Sequence, residues 1–190
     1  MTDFICDKNF KSKDFTQIRL KRAEYENCTF EGCNFSNGFL DNQNFMECSF
    51  TDCNLSNANL TNTIFKEVDF KHCKMMGMKF EDCNDFLMDF SFLDCTLNYT
   101  SFYGLDLKNI QIIDCKLVAT DFTDCNLSRS KFDNCDLDKA IFVNTNLSNA
   151  NMSTSYHITM DPEQNKLKHA HFSLASLPGL LAKHKIKVIS

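Results

Sequence analysis

Apolar residues recur at every fifth position over most of this chain. Counted from Phe10, the positions Phe10, Phe15, Leu20, Tyr25, Phe30, Phe35, Leu40, Phe45, Phe50, Leu55, Leu60, Phe65, Phe70, Met75 and Phe80 are all apolar, and the count then fails at Asp85. Restarted two residues later it runs through Leu87, Phe92, Leu97, Phe102, Leu107, Ile112, Leu117, Phe122, Leu127, Phe132, Leu137, Phe142, Leu147 and Met152. All 29 positions hold within their two phases, which chance does not produce in a chain of ordinary apolar content. The position two before each anchor favours small residues, as in Cys28, Cys33, Cys53, Ala58, Thr63, Cys95, Thr120, Cys125, Ser130 and Ala150. Asn or Asp often stands between the two, as in Cys53-Asn54-Leu55 and Cys125-Asn126-Leu127.

A period of five fits neither a helix, at 3.6 residues per turn, nor a flat strand, at two. Such anchors can all point inward only if the backbone turns by a fixed angle per unit. A right angle per unit would close a square coil of four units. The turns need a source, because 5 Gly and 2 Pro are too few for ordinary β-turns. Short Asn and Asp side chains before the anchor can bond neighbouring backbone groups and supply it.

Units such as Ala58-Asn59-Leu60-Thr61-Asn62 resemble those of pentapeptide-repeat proteins, over about residues 8–152. The resemblance implies an all-β solenoid, a right-handed quadrilateral parallel β-helix of about seven coils, roughly 35 Å long at about 4.8 Å per coil. On that reading residues 1–159 form the rod, with a phase slip near 81–92, and residues 160–190 form a short capping segment containing a helix. An open rod end exposes apolar rungs and needs such a cap. Asp161-Pro162 signals a turn. Ser176 is placed to cap a helix running through Leu177, Leu180 and Leu181 to about His184, with Pro178 in its first turn. Ile186 and Val188 alternate like a short strand. The apolar residues Leu174, Leu177, Leu180, Leu181, Ile186 and Val188 are also the candidate surface for pairing two copies.

The 11 Cys change this picture little. Ten lie on the small position or its continuation at Cys83, where Ala, Ser and Thr also serve, and only Cys6 lies off the pattern. Buried, reduced thiols acting as small apolar groups are therefore expected, with no disulfide and no metal. No cofactor is expected either: glycine-rich phosphate loops and nucleophile elbows are absent, and the five His (72, 157, 169, 171, 184) are scattered or lie in the tail. No apolar run reaches the roughly 20 residues of a membrane span. The first residues lack the basic start and apolar stretch of a signal peptide. With reduced thiols, this points to the cytoplasm.

The net charge is −5, against direct binding of nucleic acid. It is unevenly spread: residues 26–159 carry 9 Lys and Arg against 19 Asp and Glu, whereas both ends are basic. Glu81, Asp82, Asp85 and Asp89 cluster at the phase slip and are the candidate partner-binding residues. The stretch Asp161-Pro162-Glu163-Gln164-Asn165-Lys166 and the Leu-rich end resemble those of the Qnr-type and microcin-immunity group. That resemblance implies a non-enzymatic protein that binds DNA gyrase or topoisomerase IV through an acidic rod, as a DNA-shaped competitor, and protects it from quinolones or peptide toxins. It also implies a homodimer through the C-terminus. One departure stands out: no long loop interrupts the coils, only the slip near Asp85. The other class of function is a structural or interaction solenoid with an unrelated protein partner.

Overall fold

In the computed structural model, which describes residues 3–187 and 189, the five-residue ruler becomes a square coil. Parallel pairing joins residues twenty apart: Tyr25 with Phe45, Phe45 with Phe65, Phe30 with Phe50, and Ile112 with Phe132. The chain is a right-handed parallel β-helix of about seven turns. One face is a four-stranded sheet of β1 (Asp3–Cys6), β3 (Ala23–Glu26), β5 (Asn44–Met46) and β7 (Ile64–Lys66). The next is a seven-stranded sheet built from β2 (Asn9–Lys11), β4 (Thr29–Glu31), β6 (Ser49–Thr51), β8 (Val68–Lys71), β9 (Phe90–Leu93), β10 (Gln111–Ile113) and β11 (Lys131–Asp133). Single bridges such as Asn34 with Asn54 and Phe39 with Asn59 make the other two faces.

The turns come from left-handed backbone at the second residue after most anchors. Asn27, Asn37, Asn42, Asp52, Asn57, Asn62, Asp94, Asp114, Asn134 and Asn149 all have φ between 49° and 59°. Asn and Asp tolerate this region better than other side chains. The polar residue before the anchor braces the same corner: Asn54 Oδ1 accepts from the Ser56 N–H at 3.1 Å, and Asp121 Oδ1 from Thr123 at 2.8 Å.

Inside, the anchors stack in columns. Rings of Phe10, Phe30, Phe50, Phe70 and Phe92 follow at 4.8, 4.7, 5.2 and 5.4 Å. Phe80, Phe102, Phe122 and Phe142 form a second column at 4.8, 5.3 and 5.2 Å. The small position has a job that size alone does not explain. Its side chain donates to a carbonyl of the preceding coil: Cys48 Sγ to Tyr25 at 3.4 Å, Thr63 Oγ1 to Leu40 at 2.7 Å, Thr145 Oγ1 to Phe122 at 2.9 Å. All 11 cysteines are free and nine are buried. Burial pushes the Cys48 and Cys125 thiols up to about 12 and the Cys135 thiol to about 11.

Three anchor positions depart from the expected burial. Phe10 and Phe15, in the first coil, are only half-buried. Leu87 faces solvent, 57% exposed, and Phe90 fills the interior instead.

At the other end, a single 3₁₀ turn at Pro162–Gln164 is capped by Asp161, whose Oδ1 accepts from the Glu163 N–H at 2.9 Å. The expected helix is broken into a 3₁₀ turn at Leu174–Ser176, α1 (Leu177–Leu180) and a second 3₁₀ turn at Ala182–His184. Ser176 makes no side-chain cap; its hydroxyl meets that of Ser173 at 2.9 Å. Ile186 is in no strand, and Val188 lies outside the described residues. Lys183 ties the segment to the rod through Asp161 at 2.7 Å and Glu163 at 2.6 Å.

Candidate functional site

The phase slip is where the coil lengthens. Phe70 pairs with Phe92, and Lys74 bridges Thr96, so this turn takes 22 residues instead of twenty. The excess is absorbed between two fixed points. Before it, Phe80–Asp82 forms a 3₁₀ turn, and the Asn62 N–H bonds the Asp82 carbonyl at 2.9 Å. After it, the Asp89 N–H bonds the Phe65 carbonyl at 3.0 Å. Between them Asn84 Oδ1 accepts from the Phe86 N–H and Met88 closes a turn onto Asp85. The result is a short exposed loop with Phe86 and Leu87 at its tip, 67% and 57% exposed.

The four predicted acidic residues do not converge. Glu81 is half-buried in the 3₁₀ turn, and its Oε2 is enclosed without a hydrogen-bond partner among the described residues. Asp82 and Asp85 are exposed, and only Asp89 reaches the cleft beside the loop. That cleft, about 460 Å³, is walled by Leu87, Met88 and Leu107 and rimmed by Lys66, Asp89 and Lys108. The loop's apolar tip is masked in the sequence because Leu87 keeps the five-residue rhythm. Its one signal there is the apolar run Phe86-Leu87-Met88 just before a fresh Phe90-Ser91-Phe92 unit.

The rod's carboxylates line up elsewhere. Asp52, His72, Asp94 and Asp114 are left-handed corner residues of successive coils, joined by the bonds Asp52 N–H to Lys71, His72 N–H to Leu93 and Asp94 N–H to Ile113. His72 Nδ1 sits 2.9 Å from Asp94 Oδ2, a contact that raises the imidazole pKa.

Of the predicted pairing residues, Leu174, Leu177, Leu181 and Ile186 are exposed at the cap. Leu180 is not available to a partner, because it is buried against the rod. No three His, Cys, Asp or Glu side chains gather as a metal site among the described residues. Among the described residues, no helix is long and apolar enough to cross a membrane.

Among solved structures, a trypsin-treated form of QnrB1, a plasmid-mediated fluoroquinolone resistance protein, is 18% identical over all of both chains, with a TM-score of 0.46. HetL, a pentapeptide-repeat protein involved in heterocyst differentiation regulation in the cyanobacterium Nostoc sp. strain PCC 7120, is 15% identical over 90% of this chain and 86% of its own, with a TM-score of 0.47. A pentapeptide-repeat protein of the Arabidopsis thaliana thylakoid lumen is 17% identical over 69% of this chain and 70% of its own, with a TM-score of 0.22. No curated protein matches in sequence. The family description "Pentapeptide repeat region" matches residues 43–122, and "Pentapeptide repeats (8 copies)" matches residues 115–153. With the five-residue ruler folded into a square coil and more than half of the chain matched, the protein belongs to the pentapeptide-repeat family.

Proposed function

We propose that this protein is a non-catalytic rod that occupies the surface of a protein partner, and that the partner is DNA gyrase or topoisomerase IV. The observation that carries the reading is the acidic corner. Asp52, Asp94 and Asp114 stand on three of four successive coils, about 4.8 Å apart per coil. A duplex strand carries its phosphates about every 3.4 Å. A basic groove shaped for a duplex therefore meets a similar line of charge on the rod. The tail that resembles the Qnr-type group supports the same partner, and Glu81, Asp82, Asp85 and Asp89 extend the acidic contact at the slip. The result is protection of the enzyme from a quinolone or a peptide toxin, in the cytoplasm, where the buried thiols stay reduced.

Titrating the protein into a gyrase supercoiling reaction tests this. The expected result is restored supercoiling in the presence of quinolone, or inhibition in its absence. Asp52→Asn with Asp94→Asn and Asp114→Asn should weaken the effect at least tenfold. No effect of the unsubstituted protein well above the enzyme's concentration rejects this partner.

The exposed Leu174, Leu177, Leu181 and Ile186 make the cap the surface through which two rods pair in this reading. Light scattering of Leu177→Asp with Leu181→Asp should give the monomer mass. A mass unchanged from that of a dimeric parent removes the interface from the cap.

A further inference from the structure

One corner of the rod changes sign at the phase slip. Its left-handed residues above the slip include Asp7, Glu47 and Glu67; below it they are Asn109, Arg129, Asn149 and His169. The lower four stand one over the next, because the N–H groups of Asn109, Arg129 and Asn149 donate to Ser128, Ser148 and Lys168 at 3.0, 2.9 and 2.9 Å. Lys108, Arg129, Lys166 and Lys168 are all exposed on this strip. None has an ion pair among the described residues.

Of the carboxylates beside the strip, Asp106 is engaged within the rod, and Glu67 and Asp89 stand at the cleft at its upper end. Asp106 Oδ1 accepts from Asn126 Nδ2 at 2.9 Å, and Asn126 Oδ1 from Asn146 Nδ2 at 3.0 Å. A row of unpaired cations thus borders a ladder of side-chain amides. At its upper end lies the cleft of about 460 Å³ with its apolar wall of Leu87, Met88 and Leu107.

We propose that this corner and cleft bind an extended acidic segment of a partner protein. One apolar side chain seats in the cleft, and the carboxylates that follow lie over Lys108, Arg129 and Lys168 toward the cap. The dimensions agree: three coils cover about 14 Å, which four or five extended residues span at about 3.3 Å each. Charge decides against a nucleic acid. The strip is one corner wide, and Asp94, Asp114, Asp121, Asp124, Asp136 and Asp138 occupy the rest of the lower rod. A duplex would bring its phosphates within the screening length of those carboxylates, roughly 8–10 Å, whereas a short peptide would not. This surface is separate from the acidic corner and stands whether or not that corner meets a topoisomerase.

Fluorescence anisotropy at low salt tests it, with a fluorescein-labelled peptide of two leucines followed by six glutamates as the probe. Saturable binding is expected. Lys108→Glu with Arg129→Glu and Lys168→Glu should weaken it at least tenfold, and Leu87→Asp severalfold. Lys116→Glu with Lys139→Glu, on other faces of the lower rod, should leave it unchanged. If the charge-reversed protein melts early, Lys108→Gln with Arg129→Gln and Lys168→Gln is used, with a loss of about fivefold expected. Absence of saturable binding overturns the proposal, as does an equal loss in the Lys116 and Lys139 variant. Tighter binding of a duplex oligonucleotide through the same cations would overturn it in favour of a nucleic-acid surface.

Discussion

Replacing Phe122 by alanine is expected to cost about 3–5 kcal/mol of stability, the loss expected of a fully buried aromatic. The ring is fully buried. It is sandwiched between Phe102 at 5.3 Å and Phe142 at 5.2 Å, with the edge of Phe132 at 5.7 Å. The loss is large because the cavity cannot close. A coil can sink toward its neighbour only by breaking the backbone ladder, and here that ladder is pinned on both sides. The Phe122 N–H bonds the Ile141 carbonyl at 2.9 Å, and the Phe122 carbonyl accepts from Thr145 Oγ1 at 2.9 Å. Phe10→Ala, in the half-buried first coil, should cost distinctly less, because its neighbours can relax toward solvent. Chemical denaturation measures both. A Phe122→Ala loss below about 1 kcal/mol would mean that the columns are not close-packed.

The same columns show why the fold was legible and parts of the surface were not. A residue in a square coil is buried by its position modulo five, so a one-dimensional count finds the core wherever the backbone keeps its step. The count carries no information on where the step changes. Leu87 satisfies the rhythm and is exposed, because the two extra residues of the slip are taken up just before Phe90, which enters the core in its place. The turn chemistry was half legible. Asn and Asp before the anchor do brace the corners, but the left-handed residue two after the anchor carries the turn itself, and even Ala119 and Arg129 adopt it. At those positions the coils above and below dictate the backbone, and local preference yields.

Surface chemistry needs a longer period than the core. Asp52 and Asp94 are far apart in sequence and share a corner only because one coil is 20 residues and the next 22. The corner that turns from Glu67 to Arg129 across the slip is equally invisible to a segment-by-segment charge count, which returns only an acidic middle. The four acidic residues near Asp85 illustrate the error in reverse. Neighbours in sequence, they are divided by the 3₁₀ turn and the loop, and only Asp89 reaches the cleft. At the cap, the spacing of the leucines predicts one helix. Leu180 alone turns inward, and the segment bends around it in three short pieces.

That bend makes Gly179 the most sensitive residue of the cap. Gly179→Ala is expected to release the segment from about Leu174 onward while the rod stays folded. A Cβ at this position would run into the carbonyl carbon and oxygen of Ile158, with the Thr159 Cα 3.4 Å away. These are backbone atoms of the last coil, where the Ile158 and Met160 side chains are buried in the core, so α1 must move instead. Once it lifts, Leu180 loses its burial, worth about 2 kcal/mol. Lys183 also separates from Asp161 and Glu163. The contacts fail together because α1 and the 3₁₀ turn at Ala182–His184 are joined by Leu181 alone, which predicts an all-or-none release. Gly104→Ala separates this clash from the ordinary consequence of losing a glycine. Gly104 has φ of 72°, and a methyl group there would meet nothing within 4 Å. Its substitution should therefore cost only about 1–2 kcal/mol of backbone strain and leave the cap docked. Limited proteolysis followed by mass spectrometry distinguishes the two. Rapid cleavage beyond Phe172 in Gly179→Ala, with the rod fragment intact and Gly104→Ala resistant, is the expected pattern. Equal resistance of both variants would mean that α1 does not rest on Ile158.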